Sequence, residues 1–489
     1  MDKIFLSKSQ FTRGLQCHKS LWLYKYNPEL RAEPDAATQA RFEAGTEVGI
    51  LAHQIFPGGK LIAFDRSQFA EKIKETQAAI EAGVKTIYEA TFSYDDILVM
   101  VDILRKGRQS WEIYEVKSSN SLKEEYLPDA AIQYYVLTGA GIEVSRIALV
   151  HLNGKYIRQG DIDVKDLFVI EDITGNVRDS QTFVKEQIKK QRIMLDGGTP
   201  NISIGPQCES PYPCDFSEYC WKHIPDDSVF DLRERGVDKY KLYRQGIIMQ
   251  KDIPLDILNN KQRFQVESTL KRQDTVDKTN LAEFLRQLTY PVCYLDFETF
   301  MMPIPPFDGT SPWQQIPFQF ALYLQPGEGT KLEYYEFLGT PSLDPQKVLL
   351  ESLLKTVPTG ACMVAYNAAF EIRILKALAL SFPKHVARIN NIIEHFVDLM
   401  EPFKKRYIYY WQVKGSYSLK EVLPALVPKM SYVGMDISDG NMASHAYLEM
   451  GKIEDGEGRR RIRTALLEYC KQDTLGMVEL VNKIKTLIE

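Results

Sequence analysis

Pro291-Val-Cys-Tyr-Leu-Asp296-Phe-Glu298-Thr-Phe300 reads as an apolar strand interrupted by two acids. Side chains alternate between the faces of a strand, so Asp296 and Glu298 must project from one face, close enough to grip one ion. A second strand-like run, residues 361–366, leads into Asn367-Ala-Ala-Phe-Glu371. There Asn367 is expected to cap a helix and Glu371 to lie in its first turn. Further along, Leu466-Leu-Glu-Tyr469-Cys-Lys-Gln-Asp473 reads as helix, and the four-residue spacing sets Tyr469 beside Asp473. These segments define an α/β module beginning near residue 286.

Four such carboxylates suit a pair of hard divalent ions, Mg²⁺ or Mn²⁺, about 3.5–4 Å apart, that stabilise the attacking water and the leaving oxygen of a phosphodiester. Residues 286–489 resemble the DnaQ-type 3′–5′ exonucleases of the RNase H-like superfamily, in the tyrosine variant called DEDDy. The resemblance implies Asp296, Glu298, Glu371 and Asp473 as metal ligands and Tyr469 as the residue that orients water. Position 371 departs from the pattern, since the family usually has Asp there. Asp398, after Phe396 and Val397, is a further candidate acid, with a capping role as its ordinary alternative.

The 489 residues exceed one typical core and predict two or three domains. A hydrophobic content of 44% and a charged content of 26% are those of a soluble globular protein. No stretch has the apolar length of a membrane span and the N-terminus lacks a signal-peptide core, so the expected location is cytoplasmic, with no membrane partner. The net charge of −5 excludes a general nucleic-acid-coating protein but not an enzyme holding nucleic acid in a local groove. Arg459 to Arg463, ahead of Tyr469, is the basic run best placed to approach a phosphate.

The cysteines divide the chain. Cys208, Cys214 and Cys220 follow one another at six-residue intervals, while Cys17 stands far upstream. In a reducing compartment such a set reads as metal-binding. Five-residue gaps and a distant fourth ligand fit structural zinc poorly, whereas four thiolates suit a [4Fe–4S] cluster. Cys293, Cys362 and Cys470 lie in apolar segments and read as small buried hydrophobes. Between the outlying cysteines stand Gly49-Ile-Leu-Ala-His53, an apolar strand carrying Asp102, the strand Glu112-Ile-Tyr-Glu115-Val-Lys117, and a helix carrying Gln133. Glu115 and Lys117 share one face by the same period of two.

This order, framed by four cysteines, resembles the iron–sulfur branch of the RecB-like nucleases in the PD-(D/E)XK superfamily. The resemblance implies His53, Asp102 and Glu115 as ligands of Mg²⁺ or Mn²⁺, Lys117 as the cation that positions water, Gln133 as a further site residue and Glu89 as an auxiliary acid. Leu137 stands where the family often has Tyr.

The expected organisation is an α/β nuclease module over 1–225, a helical linker over 226–285, and the RNase H-like module over 286–489. Within the linker, Gly246 reads as a helix C-cap or as a turn meeting a phosphate backbone. The expected function is a metal-dependent nuclease with two active sites, acting on DNA rather than RNA and from ends, with a helicase or a repair or defence protein as a candidate partner. The alternative is a nucleic-acid-binding protein in which only the N-terminal site is active and the C-terminal domain serves as a scaffold.

Overall fold

The structure, a computed structural model, describes residues 5–63 and 68–489. Two compact units emerge: residues 1–223 with 302–314, and residues 224–301 with 315–489. Residues 226–285, read from the sequence as a separate linker, thus belong to the second unit. Among the described residues no helix is long and apolar enough to cross a membrane.

The first unit is built on a seven-stranded mixed sheet of β1 (Leu6–Ser7), β2 (Lys60–Leu61), β3 (Thr86–Tyr94), β4 (Ile97–Lys106), β5 (Trp111–Lys117), β6 (Val144–Leu152) and β7 (Phe168–Asp172). Strands β2 to β7 lie in sequence order, and β1 adds in parallel to the start of β4. Alternation along the strands gives two apolar faces. Leu104, Ile113 and Leu149 pack against Ile132, Val136 and Leu137 of the helix Leu127–Gly139. On the opposite face Tyr88, Ile103 and Tyr114 pack against Val48 and Ala52 of the helix Ala36–Ala52. The β4–β5 ladder reaches only as far as Ile103 opposite Tyr114. Beyond that pair, the Asp102 carboxylate accepts the Val116 amide at 2.6 Å, so a side chain replaces the next backbone rung. The segment 302–314 completes this unit: Arg158 donates to the carbonyls of Pro305 and Pro306 at 3.0 and 2.9 Å.

The second unit contains β8 (Thr275–Val276), β9 (Val292–Phe300), β10 (Ile316–Gln325), β11 (Glu333–Leu338), β12 (Cys362–Ala365), β13 (Phe396–Asp398) and β14 (Ile408–Tyr409). Five of these form a mixed sheet in the order β11-β10-β9-β12-β13, while β8 pairs with β14. Cys293, Leu295 and Phe297 of β9 face Leu349, Leu350 and Leu353 of the helix Gln346–Thr356. Val292 and Tyr294 face Met477, Val478 and Val481 of the last helix, Gly456–Ile488. Asp296 and Glu298 share the parity of Val292 and Tyr294, which turns both acids toward that helix. Within residues 226–285, Val229, Leu232, Leu242, Ile253, Leu258 and Val266 close a small core of their own. Gly246, at φ +82, ends the helix Lys239–Arg244 by the Ile247 amide's bond to the Leu242 carbonyl, an ordinary C-cap.

Candidate functional site

In the second unit, the sequence spacing and the fold bring the predicted acids together. Asp296, Glu298 and Asp473 each offer a carboxylate oxygen, and all three lie within 4.8 Å of one another. They are the only such trio of His, Cys, Asp or Glu among the described residues. Glu371 occupies the first turn of the helix Ala369–Ser381, is 2% exposed, and leaves its Oε2 buried without a partner. Burial raises the pKa of all four acids. Repulsion adds to it for three: Asp473 acts on Asp296, Asp296 on Glu298, and Asp296 on Glu371. Lys420 is the cation that opposes the rise at Asp296, Glu298 and Asp473. An oxygen-only donor set with an orphaned buried carboxylate fits hard divalent cations.

Tyr469 lies one turn before Asp473 on the last helix and hydrogen-bonds to it, and burial followed by that charge raises its phenol. Three further participants went unread in the sequence. The Tyr432 hydroxyl donates to Asp473 Oδ1. The Cys470 thiol reaches Asp296 Oδ2 at 3.3 Å, so this cysteine is more than the small hydrophobe its apolar neighbours implied. Lys420 donates to the Ser438 carbonyl beside the acids. The placement of Cys470 three residues before Asp473, on one helix face, was a usable signal for one of them; Tyr432 and Lys420 carry none.

One expectation changes, and one of two alternatives is taken up. Asn367 does not cap the helix with its side chain: it adopts the left-handed conformation at φ +71, which Asn tolerates, and its carbonyl accepts the Phe370 amide. Asp398 accepts the amides of Asn367 and Met400, both at 2.9 Å, which is the capping role. Of the Arg459–Arg463 run, Arg459 donates to the Ile453 carbonyl, Arg461 pairs with Asp436 and Arg463 reaches the Leu338 carbonyl.

The first unit assembles Asp102, Glu115, Lys117 and Gln133 on one side of its sheet. The Gln133 amide donates to Glu115 Oε2, and Lys117 Nζ stands 2.8 Å from Glu115 Oε1 and 2.5 Å from Asp129 Oδ2. A second ammonium, Lys8, is bonded to both Glu115 oxygens at 3.0 and 3.1 Å. Burial favours the neutral form of Glu115, but Lys117 and Lys8 outweigh it and bring its pKa down to about 2. Asp102 is raised to about 6 by burial and by Glu115, and Glu89 to about 7 by burial and by Asp102. Glu89 sits at φ +56, a left-handed conformation a non-glycine residue rarely adopts, and its charge is felt with those of Asp102 and Glu115.

His53 follows the helix Ala36–Ala52, stacks on Tyr88 with ring centroids 4.1 Å apart, and keeps Nε2 buried without a partner. It does not join Asp102 and Glu115 within single-ion spacing, where Lys8 already holds Glu115. The acids Asp102 and Glu115 offer the oxygen ligands that suit Mg²⁺ or Mn²⁺, whereas the unpartnered His53 nitrogen stands apart from them.

Cys17, Cys208, Cys214 and Cys220 line one cavity of the first unit and form no disulfide. A single zinc would draw the sulfurs to about 3.8 Å from one another, given Zn–S bonds near 2.3 Å. Among the described residues no three of these thiols lie within 4.8 Å of one another.

Residues 293–418 match a family described as a domain of unknown function, DUF2779. That span holds Asp296, Glu298 and Glu371 and stops before Tyr469 and Asp473. The chain is 23% identical over 215 residues to an uncharacterized protein of Mycoplasma genitalium, covering 40% of this chain and 32% of that protein. It is 24% identical over 224 residues to an uncharacterized protein of Ureaplasma parvum, covering 40% and 31%. The chain therefore spans about a third of the length of the curated relatives it matches.

Proposed function

We propose that the chain is a metal-dependent phosphodiester hydrolase, a nuclease with two active sites. In this reading a RecB-like PD-(D/E)XK module precedes an RNase H-like DEDDy-type module, and the substrate is a nucleic acid processed from an end. The convergence of Asp296, Glu298 and Asp473 within 4.8 Å, beside Tyr469 and the orphaned Glu371 oxygen, carries the proposal. When bound there, Mg²⁺ or Mn²⁺ supplies positive charge to the transferring phosphoryl group and acidifies water.

The chain's own groups divide the remaining work. Tyr469 holds a water by its hydroxyl while Asp473 fixes the phenol. Tyr432 and the Cys470 thiol donate to Asp473 and Asp296, which fixes both carboxylates in place. Lys420 offsets the charge of an incoming phosphate. In the first unit, Lys117 positions water and Gln133 orients Glu115. The four cysteines would hold a [4Fe–4S] cluster that closes the first unit as a structural clip.

A digestion time course on end-labelled single- and double-stranded DNA and RNA, with Mg²⁺, Mn²⁺ or EDTA, tests the proposal. Metal-dependent shortening from one end supports it. Intact substrates under every metal, with protein that is folded and carries its cluster, would overturn it.

A further inference from the structure

Residues 231–235 run beside the acid centre as a segment held from beneath by three amides of one helix. Asn259, the cap of the helix Asn260–Lys271, donates to the Arg235 carbonyl at 2.7 Å, and Gln262 donates to the Glu234 carbonyl at 3.0 Å. Gln265 accepts the Arg233 amide at 3.1 Å and donates to the carbonyls of Asp231 and Lys414 at 2.8 and 2.9 Å. Both glutamines are fully buried. Gln265 thereby fastens two walls together, the 231–235 segment and the 414–418 loop. Gly415 is required at that junction, since its φ is +78 and a Cβ there would meet Gln265 Oε1 at 2.6 Å.

Backbone groups so fully committed leave only the side chains of this platform to face outward. Arg233 and Arg235 are exposed, and among the described residues neither has a carboxylate within ion-pair distance. Glu234, the one acid between them, is engaged by Lys261 and Arg406, each at 3.6 Å. The same residues line two cavities of about 560 Å³ each. One contains Asp296, Asp473 and Lys420, the other Arg235 and Lys261, and they share Arg233, Glu234 and Tyr417. The two cavities therefore adjoin at Arg233, Glu234 and the exposed Tyr417, one holding the carboxylates and the other lined by Arg235 and Lys261.

We infer that the adjoining cavities form a binding track for a single-stranded polynucleotide. Its backbone would lie along Arg233, Arg235 and Lys261, one base would stack on Tyr417, and Lys420 would meet the phosphate nearest the acids. A cationic groove with an interposed aromatic ring is the physical basis of sequence-tolerant single-strand binding. The inference rests on the nuclease reading for its direction, toward the acid centre, but its affinity does not require hydrolysis.

The test is fluorescence anisotropy of the full chain in EDTA, with 5′-labelled oligo-dT and oligo-rU of 4, 8 and 12 nucleotides over a range of salt. Affinity should rise with length and then level off, and the sugar bound more tightly names the strand. Replacing Arg233, Arg235 and Lys261 together by Ala should weaken binding at least tenfold and flatten the log–log salt slope by about 2, at roughly 0.7 per lost phosphate contact. Tyr417→Ala should weaken binding about tenfold with the slope unchanged. Lys347→Ala with Lys355→Ala, exposed on the helix covering the other face of the sheet, should change neither quantity.

A triple variant that keeps the native salt slope, tighter binding of a duplex of equal length, or full competition by polyglutamate would each overturn the track. Because no cleavage is needed, a protein that binds in this way yet never hydrolyses would refute the nuclease reading alone.

Discussion

The two acid centres solve the same electrostatic problem in opposite ways. Glu115 of the first unit is neutralised from within, by Lys8 and Lys117, and is held ionised at a pKa of about 2. Asp296, Glu298 and Asp473 of the second unit have Lys420 as their nearby cation and Glu371 has Arg373, yet all four are pushed upward. A site of the first kind is stable before any metal arrives and must give up an ammonium to accept one. A site of the second kind is under repulsion until a cation enters, so metal binding and stability are directly linked there.

The largest effect that could break this comparison is catalytic. Asp296→Ala or Asp473→Ala, placed in a Lys117→Ala background, should abolish the remaining end-directed cleavage, a fall of at least about a thousandfold. Lys117→Ala in an Asp296→Ala background should do the same to the first site, by about 10²–10⁴-fold. End-labelled time courses read both, and full cleavage in either double variant would remove that centre from the mechanism.

A stability measurement sharpens the contrast by its sign. Glu115→Gln leaves Lys8 without its carboxylate partner, while Lys117 keeps Asp129, and should destabilise the metal-free protein by about 2–3 kcal/mol, scaled down for partly exposed ammonium groups. Glu298→Gln removes a like charge and should raise the Tm of the metal-free protein by a few degrees, as about 1 kcal/mol does in a domain of this size. Thermal melts in EDTA decide it; shifts of the same sign would show that the two centres do not differ in this way.

A smaller effect follows from pH. The folded-state pKa of Asp102 is raised from 3.8 to about 6 and that of Glu89 from 4.5 to about 7. Their protonated forms therefore favour the folded state, and this contribution is present below about pH 4 and lost as pH climbs to about 7. In EDTA the first unit should melt lower at pH 7.5 than at pH 5. Mn²⁺ should narrow that gap, with an affinity that grows over the same interval. Melting curves independent of pH in both Glu89→Gln and native protein would contradict this assignment.

The smallest expected change is at Tyr469. Tyr469→Phe should slow the second site less than any loss of a carboxylate, since Asp473 keeps the Tyr432 hydroxyl. Single-turnover rates compare the two, and a loss equal to that of Asp473→Ala would give the phenol a role beyond orienting water.

Much of this was legible in the sequence because the decisive signals are local. A period of two sets Asp296 with Glu298 and Glu115 with Lys117, and a period of four sets Tyr469 with Asp473; all three pairs stand as expected. What remained hidden depends on the chain folding back on itself. Lys8 meets Glu115 across 107 positions of sequence, and Tyr432 meets Asp473 across 41. Neither Lys8 at a helix start nor Tyr432 in a loop has a local pattern to announce it. Residues 226–285 read as a helical linker, but the buried Gln262 and Gln265 there bond backbone carbonyls, and an apolar set closes a small core.

The membership of residues 302–314 in the first unit has a consequence for synthesis. The Trp313 indole donates to the Ser118 carbonyl at 2.5 Å, one residue past Lys117, and this piece leaves the ribosome only after all of β9. The first unit is thus finished after construction of the second has begun, so the two must mature in an interleaved order rather than one after the other. Any fragment cut at residue 223 would lack the piece that seals the strand end beside Lys117.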